Sequence, residues 1–220
     1  DDRVTVALHG PPQQIASPPN GNPAPLSVLP FAGGAAAFLD GMVSELPGQH
    51  AWYLSSAVTE PVNLVGAPTV SLRVASKTGE AVLFVKLYDI DPDGRLTLIN
   101  SQVAPVRLTS LPADISAAEP VTVALPALVH RVEAGHHLGV VVATADQAYA
   151  GPVEPARYTV SLGSDVLTLP TVRGEPIVTA AAVWPWVLAG LVGVIAVGVV
   201  VVVILARRRQ RRQDTAVHPE

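Results

Sequence analysis

Asp89, Asp91 and Asp93, at alternate positions and followed at once by Gly94, form the densest chemical signal in this 220-residue chain. Alternating carboxylates and a glycine are how the first half of a calcium loop wraps a hard cation. The twelfth loop position, however, is Asn100 instead of a bidentate glutamate, and the flanks read as strands, not helices. Asp91-Pro92-Asp93-Gly94 is also ordinary hairpin-turn chemistry, so a turn is the first reading and calcium at Asp89, Asp91 and Asp93 the second. A second cluster, His130, Glu133, His136 and His137, raises zinc. Adjacent residues on a strand point to opposite faces, so His136 and His137 cannot easily ligate one ion; one solvated and one packed histidine is the expectation. No H-E-x-x-H occurs, and no cofactor is expected.

Nucleophilic chemistry finds no footing. Cysteine is absent, and so is the G-x-S-x-G elbow that exposes a serine on a strained strand-to-helix turn. The nearest approach, Gly163-Ser164-Asp165, lacks the second glycine. No catalytic residue is assigned. Trp52, Tyr53, Tyr149 and Tyr158 could form an aromatic platform for sugars, although packing in the core or against another domain explains them more simply.

The elements that would carry these residues are short strands. Arg3–Leu8 alternates and ends in the turn cluster His9-Gly10-Pro11-Pro12, and the Pro-, Asn- and Gly-rich stretch to Pro25 reads as a loop or linker. Ala35–Val43 could form a two-turn helix. From Ala51 onward the runs Ala51–Ser55, Thr69–Ala75, Val82–Asp89, Leu96–Val106, Val121–Ala124, Leu138–Ala143 and Arg157–Leu162 are separated by Gly, Pro and Asp turns. Such punctuation without helical periodicity predicts an all-β sandwich or barrel, with a jelly roll of two packed antiparallel sheets as its form. Within Leu83–Tyr88, Leu83, Val85 and Leu87 are expected to face the core. Leu162–Pro170 is expected to lead out of the domain.

Several blocks of this region resemble one known family. They are Tyr53-Leu54-Ser55, Leu64-Val65-Gly66-Ala67-Pro68, Phe84-Val85-Lys86-Leu87-Tyr88-Asp89-Ile90-Asp91-Pro92-Asp93-Gly94-Arg95, His130–Leu138, and Ala143-Thr144-Ala145-Asp146. Over roughly Ala51 to Pro170 the chain is similar to the C-terminal non-catalytic domain of the X-Pro dipeptidyl-peptidase and cocaine-esterase-like serine hydrolases. The resemblance implies a galactose-binding-like jelly roll that follows an α/β-hydrolase domain. The catalytic Ser, Asp and His of that family belong to the hydrolase domain, and none maps onto this chain.

Val187–Ala206 is a run of 20 residues without charge, amide or hydroxyl, 14 of them Leu, Ile or Val. As an α-helix it would span roughly 30 Å, the thickness of a bilayer's hydrocarbon core. Trp184 and Trp186 precede it and Arg207, Arg208, Arg209, Arg211 and Arg212 follow it, as at the two interfaces of a spanning helix. A single transmembrane α-helix is therefore expected after the β-domain, with the lipid bilayer as a partner and the basic tail cytoplasmic. Residues 1–206 carry 9 Lys+Arg against 16 Asp+Glu, a net −7, and residues 207–220 carry +3. An acidic ectodomain argues against nucleic acid as a partner.

The expected organisation is a strand and linker at 1–27 closing an upstream region, the β-sandwich at 28–170, a tether at 171–186, the helix at 187–206 and the tail at 207–220, in a single-pass plasma-membrane protein. The chain opens with Asp1, and Met42 is its only methionine, so it reads as part of a longer or processed protein. Two functions follow. In the first, the chain is the accessory domain and anchor of an X-Pro dipeptidyl-peptidase-like hydrolase, whose upstream hydrolase domain is its partner and meets the peptide or small ester substrate. In the second, it is a tethered carbohydrate- or partner-binding module without enzymatic activity.

Overall fold

The structure, a computed structural model, describes residues 2–25 and 45–172, which contain strands, three short 3-10 turns and no α-helix. The strands are β1 (Asp2–His9), β2 (Gln13–Ser17), β3 (His50–Ser55), β4 (Val62–Gly66), β5 (Thr69–Ser76) and β6 (Ala81–Ile90). They continue with β7 (Leu96–Leu98), β8 (Ala104–Leu108), β9 (Val121–Ala124), β10 (Leu128–Val132), β11 (His137–Ala143) and β12 (Ala156–Thr171). Their interiors are rich in Val, Leu, Thr and Tyr, which suit a pleated, packed surface, and Gly, Pro and Asp stand between them.

All pairings are antiparallel, and they join into one curled twelve-stranded sheet. One ladder is built around β12, flanked by β1 and β2 on one side and by β5 and β4 on the other, with β9 and β10 outside these. The second runs β3–β11–β6, with β7 and β8 both on the far edge of β6. β1 links the two. Its residues 2–7 pair with β12, while Leu8 and His9 pair with β3.

The curl encloses one main apolar cluster, in which Leu83, Val85 and Leu87 of β6 meet Val140 and Val142 of β11, Tyr53 of β3 and Leu167 and Leu169 of β12. The Tyr53 hydroxyl, buried, donates to the carbonyl of Val160 at 2.8 Å. The expected inward set of β6 is therefore correct, but the other face of the strand is buried too. Phe84, Tyr88, Val103, Val141 and Ala143 form a second cluster, with Trp52, Ile90 and Leu98 packed on it. Strands covered on both faces lose strict alternation and become continuous apolar runs, as β6 and β11 do. Gly139 belongs to this outer face: a β-carbon there would lie 2.8 Å from the Trp52 ring and 3.1 Å from Ile90 Cδ1.

Several boundaries differ from the sequence reading. Leu96–Val106 is not one strand: a 3-10 turn with Asn100 and Ser101 at positive φ separates β7 from β8. Leu162–Pro170 does not leave the domain. It is the second half of β12, which passes a register shift between Leu162 and Leu167 and pairs on both sides as far as Thr171. The linker assigned before Pro25 contains β2, which pairs with β12 from Ser17 to Gln13. β4 and β10, not expected from the sequence, pair with each other over five residues. No helix among the described residues is long and apolar enough to cross a membrane. Ala35–Val43, the run 187–206, Trp184, Trp186 and the five tail arginines lie outside the described residues.

Candidate functional site

The strongest convergence of titratable groups lies at the end of β6. Asp89 is buried, and its carboxylate is gripped from two sides. His130 Nε2, from β10, meets Oδ2 at 2.7 Å, and His136 Nδ1, from the turn before β11, meets Oδ1 at 2.8 Å. Burial alone would raise the Asp89 pKa. The hydrogen bonds from His130 and His136, with the charge those rings carry when protonated, outweigh it and hold the carboxyl below its ordinary value. His137 turns the other way, its Nδ1 2.8 Å from the Ser55 carbonyl oxygen. The adjacent histidines thus diverge, with His136 in the turn and His137 opening β11; both are half-buried and partnered, and neither is simply solvated.

A second polar group lies on the outer face of the same strand. Lys86 is fully buried, with Nζ 2.7 Å from Glu45 Oε1 and 3.0 Å from Asp146 Oδ2. The Tyr88 hydroxyl donates to Glu45 Oε1 at 2.8 Å. Burial raises the Tyr88 pKa, and the neighbouring Glu45 and Asp146 carboxylates raise it further, so it stays a neutral donor. A buried ammonium needs such partners, because unpaired it would cost several kcal/mol, on the order of 3–5 when one member of a pair is lost. The cluster ties the segment at residue 45 and the loop after β11 to the middle of β6. Nothing in the sequence marks this: Lys86 reads as an ordinary outward residue until both faces of β6 are seen to be covered.

The remaining candidates fall apart spatially. Asp91 spends its Oδ1 on the amides of Asp93 and Arg95, at 3.0 and 2.8 Å, and Gly94, at φ 81°, completes the turn from β6 to β7. Asp89 is engaged by the histidines and Asp93 is exposed. Among the described residues no group of three or more His, Asp or Glu side chains could hold a metal ion. Glu133 pairs with Arg131 on the surface. Tyr53 and Tyr158 are core residues, Trp52 packs on Tyr88 at 5.3 Å, and Tyr149 lies against Phe84 at 5.3 Å, so the four aromatics do not make one platform. Gly163-Ser164-Asp165 lies inside β12 at its register shift, not at a strand-to-helix turn. Ser55 Oγ, near His137, accepts from the Leu138 amide and donates to the Ser56 carbonyl. No hydroxyl hydrogen-bonds to the imidazole of His130 or His136 among the described residues, so the Asp–His pairs there lack a nucleophile to activate.

The site is thus a set of polar ties inside a β-domain. Residues 14–180 match the family described as the X-Pro dipeptidyl-peptidase C-terminal non-catalytic domain. The chain belongs to that family. As a member of it, the domain is similar in fold to a crystal structure of an aminopeptidase from a marine sediment archaeon, Thaumarchaeota archaeon, with TM-score 0.57 and 11% identity over 78% of this chain and 37% of that one. It is likewise similar to an α-amino acid ester hydrolase, with TM-score 0.52 and 17% identity over 73% of this chain and 32% of the other. The chain spans about a third of the length of each of these structures. No curated protein matches it by sequence. That family is described as non-catalytic.

Proposed function

We propose that this chain is the accessory C-terminal domain of an X-Pro dipeptidyl-peptidase-like serine hydrolase whose α/β-hydrolase domain precedes residue 1. The family match over residues 14–180 carries the reading. The domain, a galactose-binding-like jelly roll in this reading, packs against the hydrolase domain and helps to wall its cleft. Peptides, or small esters and amides, are the substrates, and the hydrolase domain carries out their hydrolysis. Residues 187–206 hold the pair at the outer surface of the plasma membrane as a single-pass helix; the support is the uncharged 20-residue run between Trp184, Trp186 and the arginine cluster. A serine-directed fluorophosphonate probe tests the catalytic part: the longer protein is labelled, and residues 1–220 alone are not. Labelling of the isolated chain would overturn the assignment. Extraction of membranes at alkaline pH tests the anchor, since release of the protein into the soluble fraction would refute it.

A further inference from the structure

β2, β12 and β5 lie side by side, and their register sets two rows of side chains across one face. Thr159 of β12 pairs with Gln14 on one side and with Ala75 on the other, and Arg157 pairs with Ala16. Lys77 stands one residue past the end of β5, two after Ala75. Residues two apart on a strand share a face, and this face is opposite the one where Ile15, Tyr158 and Val74 enter the main core. Ala16 and Ala75 contribute only methyl groups, and a cleft of about 690 Å³ is left, lined by all six residues.

The charge of the cleft is out of keeping with the domain. Residues 1–206 hold 16 acids against 9 bases. Most of the described bases elsewhere are engaged: Arg95, Arg107 and Arg131 lie against acids, Lys86 holds two, and Arg73 donates to the Ala118 carbonyl. Lys77 and Arg157 have no hydrogen-bond or ion-pair partner among the described residues. No acid among them lines this cleft; Glu154 lines the neighbouring one, and the Asp114 carboxylate is bonded to Ser116.

Like charges on neighbouring strands repel each other, and an anion between them turns that repulsion into attraction. The arginine fork matches a phosphate, sulfate or carboxylate through two parallel N–H···O bonds, and a lysine adds a compact point charge. The Gln14 amide and the Thr159 hydroxyl, also without partners among the described residues, supply donors and acceptors suited to hydroxyl groups, and no aromatic ring lines the cleft. A cleft of this size holds a small molecule. We propose that this face binds a small oxyanion carried on a polyol body. Arg157 takes the oxyanion, Lys77 adds the second positive charge, and Gln14 and Thr159 meet the hydroxyls. The site lies on the domain itself and does not depend on the hydrolase reading.

The test is isothermal titration calorimetry on the full 220-residue chain in neutral detergent at pH 7 and low salt. The probes are sorbitol 6-phosphate, gluconate, sorbitol and inorganic phosphate. At least one of the two organic anions is expected to bind, more tightly than inorganic phosphate, while uncharged sorbitol gives no heat of binding. Arg157→Gln is expected to weaken that binding about tenfold, the loss of a charge-assisted pair. Arg157→Lys keeps the charge without the fork and is expected to recover only part of it. Ala16→Gln leaves both cations in place but fills the hollow, and is expected to abolish binding. These positions are exposed, so the Tm of each variant should match wild type and separate lost binding from lost folding. No binding of either organic anion, binding unchanged in both Arg157→Gln and Ala16→Gln, or inorganic phosphate binding as tightly as the organic anions would overturn the proposal.

Discussion

Replacing Lys86 by Met removes the cation that two carboxylates share inside the domain. The side chains of Lys86 and Asp146 are fully buried and that of Glu45 is 3% exposed, so water does not take over the role. At an effective dielectric constant of about 20, unit charges roughly 3 Å apart attract by about 5 kcal/mol, and the desolvation of the ammonium opposes much of that gain. The net cost of leaving the carboxylates without their cation is therefore about 3–5 kcal/mol, the range for breaking a buried pair. In a domain of this size that lowers Tm by roughly 10 °C. Urea unfolding of the β-domain at pH 7 is the assay. Adding Glu45→Gln and Asp146→Asn to Lys86→Met should restore part of the loss. A deficit below about 1 kcal/mol at pH 7, or no recovery in the triple variant, would refute the account.

Asp89→Asn removes the anion that His130 and His136 hold, and about 1–3 kcal/mol of stability at pH 7 goes with it. Because the Asp89 pKa is depressed in the folded state, its contribution is present above the unfolded value of 3.8 and is lost as pH falls through the folded value. Urea midpoints of wild type and variant should therefore differ at pH 7 and draw together as pH falls below 3.8. Gly139→Ala pushes a methyl into the Trp52 ring and costs about 1–3 kcal/mol, with an altered near-ultraviolet circular dichroism signal. Asp91→Ala loses the two carboxylate-to-amide bonds of the β6–β7 turn and costs about 1 kcal/mol, read by thermal unfolding. Millimolar calcium leaves the wild-type Tm unchanged; a rise would reassign Asp89, Asp91 and Asp93 to a metal.

What was legible at each site depended on how local its physics is. The Asp91–Gly94 turn was readable because its bonds close within five residues, between groups whose chemistry is visible side by side. The divergence of His136 and His137 matches the expectation from strand period, although only His137 stands on a strand. Their partners were not readable: Asp89 lies 41 residues from His130 and 47 from His136 in the sequence, and no local pattern brings them together. The aromatic residues misled for a related reason. Tyr53 and Tyr158 look the same in sequence whether exposed or buried, and only the closure of the sheet puts both in the core.

By itself the sequence determined that this is an all-β domain of short strands, that it resembles one hydrolase-associated family, and that it carries no recognisable nucleophile. Those properties reside in composition, punctuation and short blocks, each set by neighbouring residues. The tertiary structure decided which strands are central, and it made Leu162–Pro170 the second half of the strand around which one ladder is built. It also decided that β6 is covered on both faces, which turns Lys86 from a solvated side chain into a buried ion and Asp89 into a clasped anion. Antiparallel pairing joins residues far apart in the chain. Burial and charge pairing are properties of the neighbours it delivers, not of the residue itself.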